Sequence, residues 1–258
     1  MSEGERGRVA LVVGGASGIG WAVAQGLAAD GCRVVIADLN AGGATARADE
    51  LGPPHTGTAV DVTDEDSVAA LFERAGPIDI VVSTAGIGGV GRITDLPLEQ
   101  FRSVVDVCLI GGFLVIKHAG RHLRDGGSLV SLTSLNARQA APGMSAYCAA
   151  KAGLAMLTQV AALELAPRGI RVNAVSPGFV DTPLTEGVKL VPGTLEEYIE
   201  NTPLGRVGTP QDVADAVLFL VSDKASWMTG EVVDLNGGAH LKRYPDVLAH
   251  VERMMSAM

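Results

Sequence analysis

Apolar runs and helix-like stretches alternate along this chain from Arg8 onward. Val9–Val13 (VALVV) is an unbroken apolar run, followed by a glycine-rich turn and a helical pattern that reaches Ala29. Arg33–Ala37 (RVVIA) reads as the next strand, Ala44–Leu51 as a weaker helix and Thr58–Val60 as a third strand. Ile78–Ser83, Ser128–Leu132, Arg171–Val175 and Glu231–Leu235 bring the predicted strands to seven. Strands apolar at successive positions are covered on both faces, as in parallel sheets. Right-handed crossovers then predict one doubly wound α/β sheet with helices on both faces. No repeat or low-complexity linker divides the chain, so residues 1–258 are expected to form a single domain. One segment breaks the rhythm. Residues 182–206 contain Pro183, Pro192, Pro203 and several glycines, a stretch too long for an ordinary connection, and are predicted to form a lid over a site.

Charge and composition remove some functions from consideration. A net charge of −9 argues against nucleic acid, whose phosphates call for cationic partners. It leaves room for a dinucleotide held by backbone N–H groups. Cys32, Cys108 and Cys148 are odd in number and irregularly spaced, which supports neither a disulfide framework nor a metal site. The polar start MSEGERGR lacks the apolar core of a secretion signal, and no unbroken apolar run reaches membrane-spanning length. A soluble cytoplasmic protein is therefore expected, with no nucleic-acid or membrane partner. His118 and His122 are four apart, but no carboxylate completes a metal set, so a solvated helix face is expected there and no metal.

The first turn has chemical content. Gly14, Gly18 and Gly20 lie between a strand and a helix, where the absence of Cβ atoms lets backbone approach a pyrophosphate at the helix N-terminus. Asp38 ends the second strand, 18 residues after Gly20, close to the interval at which a carboxylate accepts from a ribose 2′-hydroxyl. Ser17, Leu39 and Asn40 bring no cation to offset that carboxylate, so a 2′-phosphate would meet like charge and NAD is expected over NADP. Tyr147 and Lys151, four apart in an Ala-rich stretch, share a helix face.

Taken together, these motifs resemble the classical short-chain dehydrogenase/reductase family over nearly the whole chain. The family's Thr-Gly-x-x-x-Gly-Ile-Gly turn is similar to Val13–Gly20, with Val13 in place of Thr. Its Asp-Val pair at the adenine falls on Asp61 and Val62, and its Asn-Asn-Ala-Gly element on Ser83, Thr84, Ala85 and Gly86. Its Tyr-x-x-x-Lys falls on Tyr147 and Lys151, and its Ser, thirteen residues before the Tyr, on Ser134. Its Pro-Gly element with a following Thr falls on Pro177, Gly178 and Thr182. The resemblance implies a Rossmann fold and a nicotinamide-dependent oxidoreductase moving a hydride between NAD(H) and a secondary alcohol or ketone. Ser134, Tyr147 and Lys151 would be catalytic. The cofactor would lie along Gly14, Ser17, Gly18, Ile19, Gly20, Asp38 and Leu39, then Asp61, Val62, Thr84, Ala85 and Gly86. It would end at Tyr147, Lys151, Pro177, Gly178, Val180 and Thr182.

In that arrangement Ser134 would hold the substrate oxygen against Tyr147, and Lys151 would also bind the nicotinamide ribose. A phenol with a reference pKa of about 10 needs help to act as a base at neutral pH, and a nearby ammonium favours the phenolate. Three departures qualify the resemblance. Val13 and Thr84 stand where the family hydrogen-bonds between strands one and four, so an apolar or β-branched contact is expected to replace the polar one. Cys108 stands where the family usually has an Asn completing a catalytic tetrad, and Cys is a poor hydrogen-bonding substitute.

Rival readings are weaker. Enoyl reductases of similar fold space Tyr and Lys seven apart, and residue 154 is Leu. Sugar-nucleotide epimerases usually carry an extra C-terminal domain for which this chain has no room. A non-catalytic NAD-binding sensor or scaffold draws on Cys108 but not on the intact Ser134, Tyr147 and Lys151. Leu184, Val188, Leu190, Val191, Leu195 and Tyr198 in the lid favour an apolar small-molecule substrate: a hydroxysteroid, a 3-hydroxyacyl chain, or a cyclic or aryl alcohol. The helices around Phe101–Arg121 and Ala146–Ala166 are apolar on more than one side, which suggests a homodimer. The resemblance implies a homotetramer completed through Gln211–Leu220 and the last strand.

Overall fold

The computed structural model describes residues 7–256. Seven parallel strands form one sheet in the order β3-β2-β1-β4-β5-β6-β7. They are β1 (Val9–Val13), β2 (Arg33–Asp38), β3 (Thr56–Ala59), β4 (Ile78–Ser83), β5 (Leu123–Leu132), β6 (Arg171–Pro177) and β7 (Val232–Leu235). The expected doubly wound sheet is present. Alternation within β1 shows how both faces are used. Leu11 and Val13 pack on one side with helices α3 (Glu65–Ala75), α5 (Gly111–His122) and α6 (Ser145–Leu165). Ala10 and Val12 pack on the other with α1 (Gly18–Ala29), α2 (Ala41–Leu51) and α9 (Pro210–Val221). All five β1 residues are buried, which is why the sequence reads as a continuous apolar run.

Some boundaries differ from those predicted. β5 begins at Leu123 rather than Ser128, because Leu123 pairs with Ile78 before the register shifts at Ile80. The predicted Phe101–Arg121 helix is α4 (Leu98–Val105), a π-helical turn over Asp106–Ile110, and α5. Averaged along their length, Leu98–His122 and Ser145–Arg168 are long and apolar enough to cross a membrane, although no unbroken apolar run is. Both lay an apolar side against the sheet core, through residues such as Leu114, Val115 and Leu154. His118 is also not on a solvated face: it is 4% exposed, stacks on Phe72, and lies 3.5 Å from Glu65.

Residues 182–206 are not structureless. A capping box between Thr182 and Thr185 starts a short 3-10 turn, followed by α7 (Glu186–Lys189) and α8 (Thr194–Glu200). After β7 the chain turns back and ends in α10 (Val247–Ser256), an element the sequence reading did not predict. Arg92 reaches Glu252 on α10 with two bonds of 2.5 and 2.7 Å, and His250 Nε2 lies 2.7 Å from Glu197 on α8. Burial raises the Glu197 carboxyl, but its bonds to His250 and Arg243 outweigh this and hold it below its ordinary value.

Candidate active site

Parallel strands that start from the same edge bring their C-terminal ends together, and connecting loops build a site there. One cleft at this edge, of about 310 Å³, is walled by the glycine turn, the ends of β2 and β4, and Thr182–Leu184. Gly14, Ser17, Gly18, Ile19, Gly20, Asp38, Leu39, Asp61, Val62, Thr84, Ala85, Gly86 and Thr182 all line it. Several features of this cleft suit a dinucleotide. Ser17 precedes α1 without making a side-chain capping bond, and the first turn of α1 contains no acidic residue. Uncapped N–H groups at the positive end of a helix can then receive a phosphate. The turn is also too tight for side chains, because a Cβ on Gly20 would stand 2.1 Å from the Gly14 carbonyl oxygen. Gly14 itself takes a φ of +80°, a conformation that favours glycine.

Of the apolar or β-branched contact expected in place of the polar one at Val13 and Thr84, the β-branched residue is present but its link stays polar. Thr84 Oγ1 lies 3.0 Å from both the Val13 and Gly14 carbonyl oxygens, so the polar link between β1 and β4 persists through a hydroxyl. Thr serves where Asn is usual because a single donor aimed at those carbonyls is enough. Asp38 accepts from the backbone N–H groups of Ala16 (3.1 Å) and Asn40 (3.0 Å), which orients its carboxylate at the turn. A cation missed in the sequence lies nearby. Arg47 Nε donates to the Ala16 carbonyl, the guanidinium stacks over Trp21, and it pairs with Glu50.

A second cavity, of about 330 Å³, meets the first at Leu184, which lines both. Ser134 and Tyr147 stand in its wall, with Pro177 and Gly178 at the same end. Phe179, Val188, Val191 and Val247 provide apolar surface. Of the residues in 182–206 expected to face substrate, Leu184, Val188, Val191 and Tyr198 line this cavity, whereas Leu190 and Leu195 do not. Val180 lines neither cavity: it is buried, bridges to Gly208 and borders a smaller cleft.

Lys151 is 3% exposed, and its Nζ donates to the Leu132 carbonyl (2.8 Å) and lies 5.6 Å from the centre of the Tyr147 ring. Burial lowers its pKa. Burial also pushes the Tyr147 phenol up, the nearby Cys108 adds to this, and the Ser134 hydroxyl works against it. In the protein alone desolvation dominates; the lowering expected of this phenol draws on the Lys151 ammonium together with the positive nicotinamide ring of a bound cofactor. Cys108 is buried on the π turn and faces the backbone of Ile87, its Sγ 3.4 Å from the N–H and 3.3 Å from the carbonyl oxygen. Leu154 is buried in the core, so no lysine stands seven residues after Tyr147.

The comparisons with known proteins agree with this geometry. Residues 14–240 match the family model described as enoyl-(acyl carrier protein) reductase. The cis-4-hydroxycyclohexanecarboxylate dehydrogenase of Sinomonas cyclohexanicum is 42% identical over 247 residues, covering 92% of this chain and 98% of its own. The chain belongs to the short-chain dehydrogenase/reductase family. The trans-4-hydroxycyclohexanecarboxylate dehydrogenase of the same organism is 38% identical, covering 90% and 92% of the two chains. The crystal structure of the 3-ketoacyl-(acyl-carrier-protein) reductase of Brucella melitensis, complexed with NADH, superposes with a TM-score of 0.85 at 33% identity, covering 92% and 99%. This short-chain dehydrogenase/reductase is an oxidoreductase acting on CH–OH groups and uses a nicotinamide cofactor.

Asn136, Gln139, Arg243 and Tyr244 also line the second cavity and were missed in the sequence. Tyr244 arrives from the segment after β7, beyond the last predicted strand.

Proposed function

We propose that the protein is an NAD-dependent dehydrogenase of a compact cyclic secondary alcohol, with Ser134, Tyr147 and Lys151 as its catalytic group. The supporting observation is that Ser134 and Tyr147 lie in the wall of an apolar cavity that meets the dinucleotide cleft at Leu184. A bound nicotinamide takes up or supplies the hydride. Ser134 donates to the substrate oxygen and holds it against Tyr147. In oxidation the Tyr147 phenolate removes the hydroxyl proton; in reduction the phenol returns it. Burial opposes the phenolate, so a cation must offset that penalty, and Lys151 is the buried ammonium beside the ring. Lys151 and Tyr147 would also hold the cofactor ribose, with Pro177 and Gly178 beside the nicotinamide.

Asp38 supports NAD over NADP, because a 2′-phosphate would meet its carboxylate, and the nearby Arg47 is already paired with Glu50. Residues 182–206 act as a lid, since Thr182–Leu184 border the cofactor cleft while Leu184 and Val191 border the substrate. The two Sinomonas relatives, named for a hydroxylated six-membered ring, support a cyclic substrate. Exposed apolar residues on the α5 and α6 surface, Phe113, Met156, Val160 and Leu163, support a homo-oligomer, with a tetramer as the family's usual form. The absence of any disulfide among the described residues fits a reducing, cytoplasmic setting.

The test is NAD reduction followed by absorbance with 4-substituted cyclohexanols, 3-hydroxyacyl thioesters and hydroxysteroids, using native protein and Tyr147→Phe. Turnover of a cyclic alcohol that falls about a hundredfold or more in Tyr147→Phe supports the reading. Equal rates in the two proteins, or turnover confined to the acyl or steroid substrates, would overturn it.

A further inference from the structure

Ser134 is the start of a hydrogen-bonded chain that runs away from Tyr147 toward the C-terminal segment. The Asn136 backbone N–H donates to Ser134 Oγ at 3.2 Å, so Ser134 is already used as an acceptor. Its own proton has two possible destinations: the reacting oxygen at Tyr147, or Asn136 Oδ1 at 3.4 Å. The orientation of Asn136 is fixed by donation from Nδ2 to the Gln139 carbonyl at 3.2 Å. Its Oδ1 in turn accepts from Tyr244 Oη at 3.1 Å. Tyr244 Oη lies 2.9 Å from Tyr198 Oη on α8. With the Tyr244 proton directed to Asn136, Tyr198 must donate to Tyr244. The protons along the chain therefore run Tyr198 to Tyr244 to Asn136.

Asn136 is 5% exposed, Tyr198 is buried and Tyr244 half-buried, so water has limited access to these donors. The amide oxygen has two lone pairs, so both donors can reach it, but each bond it accepts draws off negative charge and weakens the other. The bond from Ser134 to Asn136 is correspondingly long, at the limit of a hydrogen bond.

We propose that Tyr244 is a positioning residue: by occupying Asn136 Oδ1 it keeps the Ser134 hydroxyl proton available to the substrate oxygen. Tyr198, from the lid, orients Tyr244 in the same sense. The lid and the C-terminal segment thus set the direction of one proton at the reacting centre as well as enclosing it. The inference rests on the roles proposed above for Ser134 and Tyr147.

The variant Tyr244→Phe removes the donor and keeps the ring. Without it, Asn136 Oδ1 draws the Ser134 proton, and the Tyr147 phenolate loses a donor. We expect kcat to fall about fivefold, in line with one neutral hydrogen bond. The cofactor KM should stay unchanged, and the acid limb of the kcat/KM profile for alcohol oxidation should move to higher pH. In an Asn136→Ala background, Tyr244→Phe should have no further effect, because the competing acceptor is gone. An unmoved acid limb with only the substrate KM raised would make Tyr244 a plain wall and overturn the proposal. So would an equal loss in the Asn136→Ala background. Full turnover by Tyr147→Phe would instead overturn the underlying catalytic reading.

Discussion

Replacing Thr84 with Val tests how the glycine turn is held to the sheet. Val keeps the β-branch and nearly the volume of Thr, so packing should survive and only the hydroxyl is lost. That hydroxyl lies 3.0 Å from the carbonyls of Val13 and Gly14, at the junction of β1 with the turn. The Val13 carbonyl keeps the Thr84 backbone N–H at 2.9 Å, so the greater loss falls on Gly14. A net hydrogen bond is worth about 1 kcal/mol, and a partly buried carbonyl left short of a donor adds something comparable or less, giving roughly 1–2 kcal/mol. For a domain of this size each kcal/mol moves Tm by about 2–4 °C, so Thr84→Val should melt roughly 2–8 °C lower. Thr84 also lines the dinucleotide cleft. If the turn loosens, the cofactor KM should rise, by at most about tenfold for a 1.4 kcal/mol loss. Thermal unfolding and initial rates at varied NAD measure both effects, with Thr84→Ser as the variant that keeps the hydroxyl. An unchanged Tm and KM in Thr84→Val would refute the claim that this hydroxyl fastens the turn.

Three further outcomes are expected. Cys108→Asn should raise Tm by a few degrees and leave the cofactor KM alone, because an amide satisfies the Ile87 N–H and carbonyl better than a thiol does; a fall in Tm would mean the pocket is too small for the amide. Asp38→Asn should reduce an NAD preference of about tenfold or more toward parity in kcat/KM, and equal use of NAD and NADP by the native chain would count against the role of Asp38. Leu163→Glu, at an 80% exposed apolar position on α6, should shift light scattering toward smaller species; a native protein that is already monomeric would remove the oligomer proposal.

Local features of the sequence translated well into structure. Continuous apolar runs marked the central strands, whereas the polar edge strand β3 (Thr56–Ala59, TGTA) begins two residues before the predicted Thr58; the turn from Val13 to Gly20 and Asp38 fell on one cleft as spacing suggested. What stayed hidden depends on contacts distant in sequence. Tyr244 meets Asn136 across 108 positions, and Arg92 meets Glu252 across 160, separations over which no periodicity operates. His118 was misread because its isolated polarity suggested solvent, whereas Phe72 covers it. The desolvation of the Tyr147 phenol was also hidden in the sequence, since it depends on how many elements close around a group.

The two cavities are also drawn from different stretches of the chain. Apart from Thr182, Pro183 and Leu184, every residue lining the dinucleotide cleft lies at or before Val107. The substrate cavity takes Gly88, Gly89 and Val90 from that stretch and everything else from Ser134 onward. During synthesis, most of the cofactor-binding surface would leave the ribosome before any of the lid or the C-terminal wall exists. Such a division lets substrate range drift by change after Leu184 while most of the nucleotide-binding surface is inherited unchanged. Exchange of the segment from Thr185 to Val251 between relatives is thus a natural unit for engineering new alcohol specificity.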